Sequence, residues 1–174
     1  METPRTTAED ANEGFEAFGR RYRSERAAIV SFIDKVRVGE KNGGEAFAAW
    51  ARVCRTDAIR TGLRMVAERE AYHSRVFAQR LAELGGEERA TTTEEGRKLC
   101  EILGSAEIPD AEKLLYFAKR VGDPADAVRA IREFAERIRE DLETKTALRL
   151  FAEDEISSTT WLREACTALN PGSR

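Results

Sequence analysis

Apolar residues recur at helical spacing through most of the chain. Between Ile59 and Leu84, the residues Ile59, Leu63, Val66, Phe77, Leu81 and Leu84 mark one buried face of a long amphipathic helix. On that stripe, where another leucine should stand, sit Glu70 and His73, the only histidine of the chain. A carboxylate in the middle of a core-facing stripe is costly unless something compensates its charge. The preceding stripe runs through Ile29, Ile33, Val36, Phe47, Ala51 and Cys54, and it too has a carboxylate at its centre, Glu40.

Gly39, Gly43 and Gly44 flank Glu40, and each glycine inside a helix weakens it by roughly 1 kcal/mol. Two readings stay open from these residues. GEKNGG is either a loop between two helices, or part of one helix, bent there, whose small residues leave room beside the carboxylate. Height favours the second. The turn at Arg55-Thr56-Asp57 offers Thr56 or Asp57 as an N-cap, and Glu40 lies 16 residues before Thr56 while Glu70 lies 14 after it. In an antiparallel hairpin rising about 1.5 Å per residue, the two carboxylates reach nearly the same level, both pointing inward.

Upstream, residues 1–8 read as a disordered tail. From about Asp10, the spacing of Phe15, Phe18 and Tyr22 predicts an amphipathic helix with a basic outer face of Arg20, Arg21, Arg23 and Arg26. Downstream, Gly85-Gly86 stops the helix that carries Glu70. The connection over 87–123 holds two short helices. The first is TTTEEGRKLCEIL; the second is IPDAEKLLYFAKRV, with Asp110 as its cap and Leu114, Phe117 and Val121 as its apolar side. Gly122-Asp123-Pro124 then combines a stop, a cap and a first-turn proline. A third main helix is predicted over 124–140 with Val128, Ile131, Ala135 and Ile138 inward. Asp141 caps a fourth that runs to about Leu169.

Residues 62–84 align without gaps on residues 147–169. GLRMVAERE matches ALRLFAEDE, six of the 23 positions are identical, Glu70 falls on Glu155, and His73 falls on Ser158. The apolar stripe stays in phase through Leu148, Phe151, Leu162, Cys166 and Leu169, so duplication of a helical unit accounts for both the stripe and the inward carboxylate. The predicted fold class is therefore all-α. Two helical hairpins, 24–85 and 124–169, are joined by the helical crossover 87–123 into a four-helix bundle over 24–170, preceded by a tail and helical extension over 1–23.

Composition supports this reading and narrows function. Four prolines in 174 residues, with abundant Ala, Arg, Glu and Leu, suit helices. The net charge of -3, with acids and bases interspersed, gives no support to general nucleic-acid binding or to a membrane surface role. No apolar run approaches the length of a bilayer span, and METPRTTAEDANEG lacks a hydrophobic signal core; a cytoplasmic protein is expected. Cys54, Cys100 and Cys166 are odd in number and form no CxxC pair, so packed, reduced thiols are expected rather than a thiolate metal site.

With Glu40, the Glu70-x-x-His73 motif and the repeat at Glu155 in view, the chain resembles the ferritin-like superfamily, especially its rubrerythrin-like members. In that family the bundle core holds two metals, with one Glu from each of two helices and a Glu-x-x-His from each of the other two. The resemblance covers residues 24–85 and 124–169. It implies metal ligation by Glu40, Glu70, His73 and Glu155, with iron or manganese as the metal, for oxygen or peroxide chemistry or metal handling.

The second hairpin departs from the pattern. Its motif reads Glu155-Ile-Ser-Ser158, so a serine stands in place of the second histidine, and a hydroxyl is a poor ligand for iron or manganese beside imidazole. Asp126 has roughly the right height but points away from Val128 and Ile131, while Glu133 and Glu136 belong to the outer face. Two functional readings follow. One is a degenerate carboxylate/histidine metal site, with two metals, or a single one that could serve in sensing. The other is a metal-free ferritin-like scaffold or interaction module, with the carboxylates protonated or hydrogen-bonded in the core. Whether the protein is an enzyme stays open. A homo-oligomer, a dimer, is the expected assembly, and the scaffold reading pairs the module through its N-terminal helix or the 87–123 segment. Tyr72, Trp50 and Trp161 are assigned no role.

Overall fold

A computed structural model describes residues 14–171. Among these, six helices carry most of the residues: α1 (Glu25–Val53), α2 (Asp57–Glu83), α3 (Glu94–Gly104), α4 (Asp110–Val121), α5 (Pro124–Arg137) and α6 (Leu142–Leu169). A two-stranded antiparallel hairpin, β1 (Phe15–Ala17) and β2 (Arg20–Tyr22), precedes them. The structure is thus predominantly helical, as the periodicity predicts.

The hairpin corrects the expected N-terminal helix over the described part of the extension; residues 1–13 lie outside the described residues. Phe18 and Gly19 adopt φ of 52° and 68°, two successive left-handed residues that turn a hairpin tightly and that a helix does not tolerate. Phe15 pairs directly with Tyr22 across the strands. The apolar spacing that reads as a helix is satisfied equally well by this register, which sets the Phe15 and Phe18 rings against Phe134 at 6.2 and 4.8 Å. Arg20, Arg21, Arg23 and Arg26 are all exposed, as expected of them.

The segment GEKNGG is helical, and α1 is one continuous helix from its Ser24 cap to Val53. Gly44 explains part of the choice. A Cβ at that position would come 3.2 Å from the backbone of α2 at Ala67 and Ala71, so glycine allows α1 and α2 to pack closely where they pass. The three-residue turn 54–56 folds α2 back along α1, and Gly85, at φ 60°, ends it.

Asp110 does not cap its own helix. Pro109 holds that position, and the Asp110 carboxylate, buried, crosses to the α1–α2 turn instead. It accepts hydrogen bonds from Trp50 Nε1 (2.7 Å), the Arg55 and Thr56 amides (both 2.9 Å) and the Thr56 hydroxyl (2.8 Å). Thr56 sits at the N-cap of α2 without capping it, because its hydroxyl is committed to Asp110. Glu25 does the same service at the other end. Its carboxylate accepts from the amides of Arg139, Glu140 and Asp141 at 2.7–3.0 Å and holds the α5–α6 turn.

α5 is shorter than predicted. It ends at Arg137, and Ile138 already has extended φ and ψ, with Asp141 capping α6 through Thr144 N. At about 1.5 Å per residue, α5 covers only about half the length of the 28-residue α6. α4 packs along the remaining half, and α3 lies on α1. The predicted third helix, 124–140, thus stops three residues early, and α3 and α4 are the two short helices expected in the connection.

Two apolar clusters result. One gathers Phe47, Trp50, Leu63, Val66, Leu103, Leu114 and Leu162; the other gathers Ile29, Ile33, Phe77, Leu81, Phe134, Leu148 and Phe151. Along α1, α2 and α6, the carboxylates Glu40, Glu70 and Glu155 and the imidazole of His73 fall between these clusters. They form a polar layer between the two apolar clusters.

Candidate metal centre

α1 supplies Glu40 to the polar layer, α2 supplies Glu70 and His73, and α6 supplies Glu155. Glu40 is 8% exposed, Glu70 8% and His73 4%; Glu155 is half-buried. The structure brings three of the four predicted residues together. One ligand atom each from Glu40, His73 and Glu155, on α1, α2 and α6, lie within 4.8 Å of one another. His73 Nδ1 stands 3.1 Å from Glu40 Oε2 and 3.8 Å from Glu155 Oε1. Glu155 Oε1 is buried and has no hydrogen-bond partner.

Glu70 stands beside this trio rather than within it. Its carboxylate lies against Gly43 of α1, where an added Cβ would overlap Glu70 Oε2. The Gly43 position, like Gly44, is therefore explained by space: the hydrogen in place of a side chain is what lets a carboxylate sit between α1 and α2.

The charges are mutually unfavourable. Burial, reinforced by Glu155, pushes the Glu40 carboxyl well above the usual 4.5. Burial, then Glu40 and Glu155, does the same to Glu70, with Arg69 opposing. Glu155 is raised by burial, with His73 and Arg69 pulling the other way. Acids crowded in a low-dielectric layer hold protons unless a cation displaces them.

Two residues of the site escaped the sequence reading. Asp154, with its side chain 46% exposed, places Oδ2 3.0 Å from His73 Nε2. It thereby fixes the ring so that Nδ1 faces Glu40 and Glu155, the orienting role that a carboxylate plays behind a ligating histidine. The ring is also held edge-on to Phe151 at 5.0 Å. Arg69 reaches from α2 to α6, donating from Nη1 to Ser158 Oγ (2.8 Å) and to the Asp154 carbonyl (3.1 Å). A signal for both existed in the repeat, since Arg69 and Asp154 are equivalent positions immediately before Glu70 and Glu155.

The other acids considered from the sequence are absent from the site. Asp126 is exposed and paired with Arg129 at 2.9 Å, and Glu133 and Glu136 are exposed. Tyr72 is 56% exposed and Trp50 fully buried. The three cysteines are free. No helix among the described residues is long and apolar enough to cross a membrane.

Chemically, two carboxylates and an imidazole nitrogen are hard-to-borderline donors suited to iron, manganese or zinc. Two donors on one ion with bonds of about 2.0–2.2 Å lie at most about 4.4 Å apart, a limit that the 3.1 and 3.8 Å separations from His73 Nδ1 meet. Compared with family models, curated proteins and solved structures, the chain gives no match. The residues themselves carry the functional argument.

Proposed function

We propose that this chain is a ferritin-like helical protein whose Glu40, His73 and Glu155 hold a divalent transition-metal ion, iron or manganese, with Glu70 as an adjoining carboxylate. The observation that carries this reading is the convergence of three donors from three helices on a point where Glu155 Oε1 is buried without a hydrogen-bond partner. A buried acceptor of this kind costs on the order of 1–3 kcal/mol, and a cation would remove that cost. The residues present therefore fit a metal.

A bound iron or manganese would supply redox or Lewis-acid chemistry, toward oxygen or peroxide, or would be the cargo of a metal-handling protein. The protein's contribution is to orient and to exclude. Asp154 holds the His73 ring through Nε2, Gly43 leaves room for Glu70, and the two apolar clusters shield Glu40, Glu70 and His73 while the layer opens to solvent at Glu155 and Asp154. Free thiols at Cys54, Cys100 and Cys166 suit a reducing cytoplasmic setting.

One observation favours the second reading, a metal-free scaffold: both nitrogens of His73 already have carboxylate partners, Glu40 and Asp154. The two readings separate in urea unfolding with chelator against added Mn(II) or Fe(II). Ligation predicts that metal at about 100 times its dissociation constant stabilises the wild type by about 2.7 kcal/mol and leaves His73→Ala unchanged. Coincident wild-type curves would establish the scaffold reading.

A further inference from the structure

The repeat makes two pairs of positions equivalent on α2 and α6: Glu70 with Glu155, and His73 with Ser158. The structure shows that the contacts across these helices are reciprocal. Residue 73 of α2 meets residue 154 of α6, and residue 158 of α6 meets residue 69 of α2. One crossing sets an imidazole against a carboxylate. The other sets a serine hydroxyl against a guanidinium.

We propose that Arg69 is a built-in cation standing where the duplicated half of the site would hold a second metal, so that the centre takes a single divalent ion. This rests on the metal-binding reading above, and three observations lead to it. The first is donor supply. Ser158, 4% exposed, spends an acceptor lone pair on Arg69, and a guanidinium has no lone pair to offer a metal. The second is that α5 brings no acid to the layer, since its Asp126, Glu133 and Glu136 are all exposed.

The third is charge. Glu40, Glu70, Glu155 and Asp154 bring four carboxylates to the layer. Arg69 already supplies a positive charge beside Ser158, where it would repel a second divalent ion at short range. The Asp154 carbonyl and Ser158 hydroxyl hold it from the same helix that presents Glu155, which keeps its charge close to the ligands.

The test is Mn(II) titration of the full chain by equilibrium dialysis, with electron paramagnetic resonance of the bound ion. The wild type is expected to saturate at about one Mn(II) per chain with the spectrum of an isolated ion. Ser158→His alone stays at that level, because Arg69 remains. Arg69→Met combined with Ser158→His takes up a second Mn(II) and gives a spin-coupled spectrum. Two ions in the wild type, or a folded double variant still limited to one, would overturn the inference while leaving metal binding intact. No Mn(II) in the wild type would remove the metal reading and this one with it. Should the double variant not fold, Arg69→Gln serves: it is expected to bind its one Mn(II) about tenfold more tightly than wild type, while Arg69→Lys is unchanged. Equal affinity in all three would contradict the proposal.

Discussion

Glu70 and Gly43 face each other across the α1–α2 interface, and neither position is intelligible alone. The carboxylate needs space that any other residue at 43 would fill. Gly43→Ala is expected to displace Glu70 and destabilise the protein by about 1–3 kcal/mol, the usual cost of overpacking, measured by urea unfolding. Glu70→Gln has the opposite sign in metal-free protein. Burial holds the Glu70 pKa above 4.5, so the acid opposes folding at neutral pH, and a neutral amide of similar size is expected to raise the unfolding midpoint. A lowered midpoint in chelated protein would contradict that. Glu40, Glu70, His73 and Glu155 were legible in the sequence because each interrupts an apolar stripe, and phase alone assigns its face. Asp154 and Arg69 lie off the stripes. Which neighbour such side chains meet depends on the register between α2 and α6, which periodicity does not encode.

At the scale of elements, two buried carboxylates hold the turns. Asp110 joins α4 to the α1–α2 turn, and Glu25 joins α1 to the α5–α6 turn. Burial opposes ionisation of Asp110, but hydrogen bonds from Trp50, Thr56 and the turn amides outweigh it and keep its pKa below the usual 3.8. An acid held below its unfolded value stabilises above that value and loses the contribution as pH falls through the depressed one. Asp110→Ala leaves Trp50 Nε1 and two amides without their acceptor. It is expected to cost about 3 kcal/mol in urea unfolding at pH 7, with a smaller difference from wild type at pH 3. The pattern around Asp110 does not distinguish a cap from a cross-link, because an aspartate at a helix start satisfies it whether the side chain folds back or reaches across. Helix existence was legible almost throughout. The N-terminal hairpin was not, since Phe15, Phe18 and Tyr22 cluster equally in a helix or across a two-residue turn. The length of α5 was obscured because Ile138 keeps the apolar phase after the helix has ended.

For the whole molecule, the polar layer links stability to pH and, on the proposed reading, to metal. The raised Glu40, Glu70 and Glu155 carboxyls stabilise the metal-free fold most below the unfolded value near 4.5, and this is lost as pH rises through their folded values. Metal-free protein is therefore expected to gain stability when pH is lowered from 8 toward 5.5, as far as these groups decide, and chelated His73→Ala should follow the same trend. Metal must displace those protons, so its stabilising effect is expected to grow over the interval in which the metal-free fold weakens. Unfolding curves at several pH values, with chelator and with Mn(II), measure both slopes; parallel curves would argue against linkage.

The central claim is that the layer exists to hold a metal. Elemental analysis of protein expressed in medium supplemented with iron and manganese tests it most directly, beside a Glu70→Ala, His73→Ala control. The account predicts about one iron or manganese per chain, absent from the control. Metal content no higher than in the control would contradict it and leave the carboxylates as protonated members of the core.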